Sequence, residues 1–245
     1  VAYDSAGRRT DYTTTTTDSA GTVVSQTSVS GTTFDAAGRT LSYSSTTTDS
    51  AGVTKTQDYV NSYDAAGRRN EYSVTYKDGS GNVTSSTTVS GITYDAAGRT
   101  TSYTSTQRDS SNQVTSSSSV SSIAFDSAGR TVSYTTTNKN AAGETTSSSN
   151  YSDATFDSAG RRTGYTVTYK DANGTTTSAT SVSGVVYNAA GRTDSYQITY
   201  SNASGQTTSS TKYYEYTYDA AGKTLSYRYT RYDAAGNVIG EGQWP

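Results

Sequence analysis

The chain repeats itself. Versions of Tyr63-Asp64-Ala65-Ala66-Gly67-Arg68 recur with their aromatic residue at Tyr3, Phe34, Tyr63, Tyr94, Phe125, Phe156, Tyr187 and Tyr218, a period of 31 residues that is shortened once, between Phe34 and Tyr63. Self-similarity at such a period confines a chain to architectures in which each unit meets its neighbours. Residues 1–245 therefore read as a single array of eight units beginning near residues 3, 34, 63, 94, 125, 156, 187 and 218.

Each unit carries two turn signals. The first is the opening motif, as in Asp35-Ala36-Ala37-Gly38, and the second lies near the middle of the unit, as in Asp49-Ser50-Ala51-Gly52. Asp or Asn at the first place can bond the backbone ahead of it, and Gly at the fourth accepts positive φ, so both predict a type I turn closed by a left-handed residue. The substitutions keep that chemistry: Asn112 stands for Gly, and Asn140, Asn188 and Asn202 stand for Asp.

Between turns, short and long segments alternate with no helical period, which predicts strands throughout. In the short segments one parity is apolar, as in Tyr72, Val74 and Tyr76, while the other holds a Thr in every copy, from Thr15 and Thr46 to Thr199 and Thr230. That alternation predicts one buried and one wet face. In the long segments Val89 falls out of parity with Ile92 and Tyr94 across Ser90-Gly91, and a β-bulge at the Gly would restore one face. The shortened copy lacks that Gly, and there Tyr59 and Tyr63 share a parity without a bulge.

Composition sets the outer limits. With 31% hydrophobic residues, few of them Leu, a thick aliphatic core is out of reach, yet 23 Tyr and a single Pro argue for folded β structure rather than disorder. A net charge of −2 offers no pull toward nucleic acid. No apolar run is long enough to read as spanning a bilayer. Without His or Cys the common bases and nucleophiles are missing, so no enzyme and no cofactor is expected. An Asp-, Thr- and Tyr-rich repeat of this kind suits an extracellular or cell-surface setting. The chain shows no initiator Met or signal segment, as in a processed chain or a piece of something longer.

The motif Tyr-Asp-Ala-Ala-Gly-Arg, with Asp-Ala-Ala-Gly-Asn at Asp233 to Asn237, resembles the YD repeats of Rhs proteins, insecticidal toxin-complex shells and teneurins. The resemblance covers the whole array, although the 31-residue period is longer and stricter than the family's spacing. It implies an all-β fold, an antiparallel β-hairpin meander curling into a spiral or tube. Physics alone leaves a second architecture open, a β-solenoid with one 31-residue coil per repeat. Like residues recur every ~9.6 Å in the meander and every ~4.8 Å in the solenoid.

Three ladders invite functional readings. Asp and Arg bracket the first turn in most copies, as at Asp64 and Arg68; stacked Asp could bind Ca²⁺, but each has an Arg beside it, and turn capping with an ion pair is the favoured reading, with no metal site assigned. The Thr row could be an ice-binding plane, roughened by Glu71, Gln197 and Arg228, and otherwise is a solvated β-favouring row. The Tyr row could stack sugars, and otherwise is core.

The ends carry the last expectation. Val1-Ala2-Tyr3 is the close of a long segment and Asn237 to Pro245 the start of one, so a second copy placed head to tail would continue the pattern. This predicts self-association through Val1, Tyr3, Val238, Ile239 and Trp244, giving a filament, tube or sheath of a structural protein. The alternative is a segment of a large surface adhesin or Rhs-like shell that binds surface glycans.

Overall fold

The computed structural model describes residues 1–245, and they form seventeen β-strands and no helix. Turn chemistry sets where each strand stops. At Asp126 the Gly129 amide donates to the Asp126 carbonyl (3.0 Å) and the Asp126 amide to the Arg130 carbonyl (2.9 Å). One carboxylate oxygen, Oδ1, accepts from the amides of Ala128 and Arg130, each at 2.9 Å. In all sixteen turns the fourth residue's amide donates to the first residue's carbonyl. That fourth residue has positive φ, from +63° at Asn112 to +89° at Gly222. The sequence expectation for these turns therefore holds, Asn112 included.

The chain divides into two compact units, Val1–Ser119 with Lys139–Gly143, and Val120–Asn138 with Glu144–Pro245. In the first, β1 (Ala2–Tyr3), β2 (Arg9–Thr17), β3 (Val23–Phe34), β4 (Thr40–Asp49), β5 (Thr54–Tyr63), β6 (Arg69–Lys77), β7 (Val83–Tyr94) and β8 (Thr100–Asp109) each pair antiparallel with the next. Then come β9 (Val114–Phe125) and β10 (Thr131–Asn140). In the second unit the same ladder runs through β11 (Thr145–Phe156), β12 (Arg162–Lys170), β13 (Thr176–Tyr187), β14 (Thr193–Asn202), β15 (Thr207–Tyr218), β16 (Thr224–Asp233) and β17 (Val238–Trp244). Consecutive antiparallel pairing makes this a hairpin meander. The solenoid is excluded, because its coils would stack like strands in parallel.

The long strands bend where parity breaks. In β3 the register runs to Ser30 opposite Ser44 and resumes at Thr33 opposite Ser42, so two residues face one. Gly31, Gly91 and Gly184 occupy the bulge with φ near +60°, while Ser122, Asp153 and Glu215 hold the same left-handed conformation with a side chain. In the shortened copy the ladder passes unbroken from Val60 opposite Ser73 to Ser62 opposite Glu71. Bulged or not, both kinds of copy put Val29 and Phe34, or Tyr59 and Tyr63, on the face that carries Tyr12, Tyr43 and Tyr72.

Within each unit strands touch only their neighbours in sequence, so each unit is one layer thick. Here the expectation of a buried and a wet face needs correction. No side chain is fully buried; Val74, Val89 and Tyr151 come nearest among the hydrophobic ones, whereas Tyr169 and Tyr200 of the same aromatic face are 44% and 42% exposed. On the opposite face Thr230 is only 4% exposed, capped by the Tyr214 hydroxyl at 3.2 Å. Alternation sorts side chains between faces, but only a second layer could bury one of them, and within each unit no second layer packs there.

Left-handed conformation costs an L-residue about 1–2 kcal/mol, part of which Gly returns as chain entropy. Ser122→Gly is therefore expected to raise stability by up to about 1 kcal/mol in urea unfolding, and Gly91→Val to lower it by about as much or more. Equal midpoints for both variants and the parent would contradict the bulge assignment.

Candidate functional site

The opening motif builds a clamp between successive repeats. While Oδ1 of the first-turn Asp caps the turn, Oδ2 accepts from the Arg Nε, at 2.7 Å in Asp4–Arg8, 2.6 Å in Asp35–Arg39 and 2.7 Å in Asp126–Arg130. Held there, the guanidinium lies over the aromatic ring that opens the next repeat. Arg8 sits 4.5 Å from the Phe34 centroid, Arg39 4.7 Å from Tyr63, Arg68 4.7 Å from Tyr94, Arg130 4.2 Å from Phe156 and Arg161 4.5 Å from Tyr187. These are cation–π distances.

The ring answers through its hydroxyl. Tyr63 donates to the Thr40 carbonyl (2.9 Å), Tyr94 to Arg69 (2.5 Å) and Tyr187 to Arg162 (2.7 Å), each the residue after the clamping Arg. For Tyr94 and Tyr187 that carbonyl lies where the bulge has ended the ladder: β6 pairs with β7 only from Tyr72 onward, and β12 with β13 only from Tyr165. The tyrosine thus satisfies a backbone group that the sheet leaves open. Gly in the next turn makes room for the guanidinium, since a Cβ at Gly67 would lie 2.9 Å from Arg39 Nη1.

Asn188 provides an internal comparison. It still caps its turn, with the Arg192 amide at 3.1 Å, but has no carboxylate for the guanidinium. Arg192 then lies 5.4 Å from the Tyr218 centroid, farther than any of the five copies above. The carboxyls of Asp126 and Asp157 are held below the usual carboxylate range, first by the backbone amide of Arg130 or Arg161 and then by that residue's guanidinium, against a smaller opposing effect of desolvation.

The aromatic face carries a second constellation. Arg9, Arg69 and Arg162, the second members of Arg-Arg pairs, lie over Tyr12 (3.8 Å), Tyr72 (4.2 Å) and Tyr165 (4.3 Å). Shallow grooves open between the ring rows: about 310 Å³ among Arg9, Tyr12, Phe34 and Tyr43, about 480 Å³ among Tyr134, Tyr151, Phe156, Arg162 and Tyr187, and about 310 Å³ among Arg162, Tyr165, Tyr187 and Tyr196. Across strands the rings stack, Tyr43 on Tyr59 at 4.4 Å and Tyr196 on Tyr213 at 4.9 Å. The Thr face is knitted by hydroxyls, as in Thr46–Thr56 at 3.0 Å and Thr166–Ser181 at 3.0 Å.

The residues expected to join copies are accessible. Val1 is 79% exposed and Tyr3 65% in the first unit; Val238 is 56%, Ile239 62% and Trp244 46% exposed in the second. Trp244 stacks on Tyr227 at 5.6 Å and 13°. Sequence reading paired each Asp with its own Arg but missed the reach of that Arg to the next repeat. The signal was present, since every motif supplies one ring and one cation, and each Arg-Arg pair is followed closely by a Tyr, as in Arg69 and Tyr72.

No protein-family model and no curated protein matches the chain. Among solved structures it is similar to a porin-like protein from Bacteroides uniformis, with 14% identity, a TM-score of 0.37, and coverage of 89% of this chain and 88% of that one. It is also similar to chains of the Photorhabdus luminescens Tc holotoxin pore (11% identity, TM-score 0.22) and of the TcdB2–TccC3 structure (12%, 0.20). Those two matches cover 91% and 97% of this chain but 15% and 17% of the toxin chains.

Because the Asp pKa is lowered on folding, the contribution of the caps and clamps is present above the ordinary Asp value and is lost as pH falls through the folded value. Turn-amide protection at Ala128 and Arg130 in hydrogen exchange, corrected for intrinsic rates, should hold down to about pH 4 and fall below it. Asp126→Ala should remove it at every pH. Asn188→Asp should draw Arg192 over Tyr218, seen as an upfield shift of its side-chain protons; an unchanged spectrum would contradict the clamp.

Proposed function

We propose that this chain is a structural β-repeat protein of the YD-repeat type that works outside the cell and joins copies head to tail by pairing end strands. The observation that carries the reading is the register at the two terminal strands, each unpaired on its outer edge within its own unit. Tyr227 faces Trp244 as Tyr196 faces Tyr213 and Tyr165 faces Val182, so β17 occupies the place of the first half of a long strand. Its other edge has no partner within its unit. β1 pairs with β2 only at Arg9 and Asp11, and within its unit no other strand pairs the rest of that β2 edge, Tyr12 to Thr17.

Interior repeats supply the template for joining these edges. Val182 faces Ile198 and Tyr213 faces Tyr229, in each case the second residue past the opening Tyr of the next short strand. The same offset sets Trp244 opposite Thr14, Gln243 opposite Thr15 and Gly242 opposite Thr16 of a second copy. Tyr213 lies between Tyr196 at 4.9 Å and Tyr227 at 5.7 Å. Trp244 has only the first of these neighbours, and Tyr12 of the second copy would supply the other. By the same equivalence Tyr3 of that copy meets Lys223 and the Thr224 carbonyl, as Tyr218 meets Arg192 and the Thr193 carbonyl (2.5 Å).

Such a heterologous contact repeats from copy to copy and gives a filament wherever its rotation does not close a ring. Trp244 is the single Trp of the chain and so reports on the joint. Its emission should shift to shorter wavelength as concentration rises, in step with growth of assemblies in sedimentation, and deletion of Val238 to Pro245 should leave monomers. Emission and sedimentation that ignore concentration would overturn the reading.

The Arg-lined aromatic grooves favour a second reading, a surface module that stacks glycan rings on Tyr165 and Tyr187. Glycan-array binding that Tyr165→Ala abolishes would support it, and an array without signal would remove it.

A further inference from the structure

The chain has 23 Tyr and one Trp but no Cys, Met or His. Thiols and thioethers, which normally take up oxidising equivalents first, are therefore missing, and phenols are the abundant oxidisable groups. These phenols are arranged in pairs. Tyr43 of β4 stacks on Tyr59 of β5 at 4.4 Å and 11°, Tyr134 on Tyr151 at 4.9 Å and 16°, and Tyr196 of β14 on Tyr213 of β15 at 4.9 Å and 18°. In the first and last pairs the two residues are directly opposite in the ladder, so the backbone holds the rings together.

We propose that these three pairs are dityrosine-forming sites, which a one-electron oxidant of the haem peroxidase and hydrogen peroxide class converts into covalent bonds between neighbouring strands. Each phenol of a pair gives up one electron and one proton and becomes a phenoxyl radical with spin density on the ring carbons ortho to oxygen. Nearly parallel rings at this separation hold those carbons within a small side-chain movement of each other. The two radicals form one Cε–Cε bond, and each ortho hydrogen returns to its own oxygen as the rings regain aromaticity. The two electrons and two protons reduce one hydrogen peroxide to two waters, and nothing else is consumed.

The arrangement separates this from oxidation by accessibility alone. Tyr3, Tyr169 and Tyr200 are the most exposed phenols, at 65%, 44% and 42%, whereas Tyr151 is only 6% exposed. Because radicals migrate between close rings, the continuous row Tyr196, Tyr213, Tyr227 and Trp244 allows a radical made at an exposed member to reach a stacked pair. Such a bond would staple strands in a chain that has no disulfide, and it does not depend on how copies associate.

The test treats the folded chain with haem peroxidase and limiting hydrogen peroxide, then follows dityrosine fluorescence and maps tryptic peptides. The expected product joins peptide 40–55, which holds Tyr43, to peptide 56–68, which holds Tyr59, with the loss of two hydrogens, and a second joins 193–212 to 213–223. Tyr43→Phe should remove the first link and leave the second, and prior unfolding in urea should scatter both. Links formed mainly through Tyr3, Tyr169 or Tyr200 between molecules, or the same map from folded and unfolded chain, would overturn the proposal.

Discussion

In most repeats one carboxylate does two jobs, and the rest of the structure follows from their being joined. Oδ1 of the first-turn Asp fixes the turn by accepting two backbone amides, as in Asp157 with Ala159 and Arg161, while Oδ2 fixes the Arg side chain. A flexible cation becomes a rigid shelf for the ring of the next repeat. Exposed ion pairs contribute little by themselves. Here the pair serves chiefly to orient a group whose second contact is with another repeat, and that contact is what a repeat array needs.

That need is acute in a sheet one layer thick. Without a core, stabilisation comes from the backbone ladder, cross-strand pairs of roughly 0.2–1 kcal/mol each, and the clamps at one edge. The aromatic face uses stacked Tyr where a globular domain would use packed Leu, and the Thr face uses hydroxyl pairs such as Thr48–Thr54. Every one of these contacts is local, so each strand depends on its neighbours and the last strand in a row has only half its contacts. Trp244 illustrates this, with one ring beneath it and solvent above.

Much of this was legible in the amino-acid order, for identifiable reasons. Turns announce themselves because few residues tolerate positive φ, which is why Asn112 could be read as a stand-in for Gly. The bulge was legible because Val89 and Ile92 break the period of two, and its absence from the shortened copy was legible because Tyr59 and Tyr63 do not. Burial was not legible: alternation shows which side chains share a face but not whether anything covers it. Nor was the reach of Arg68 to Tyr94, because contact between successive opening turns depends on side-chain length and rotamer, which leave no periodic trace of their own.

A double-mutant cycle across one clamp probes the dependence of repeat on repeat most directly. Unfolding of the parent, Arg130→Gln, Phe156→Leu and the double variant would be compared, since Arg130 touches Phe156 in the neighbouring repeat at 4.2 Å. Coupling of about 0.5–1 kcal/mol is the predicted result. Strict additivity of the two substitutions would mean that the repeats are held by the backbone ladder alone and that the clamp is incidental.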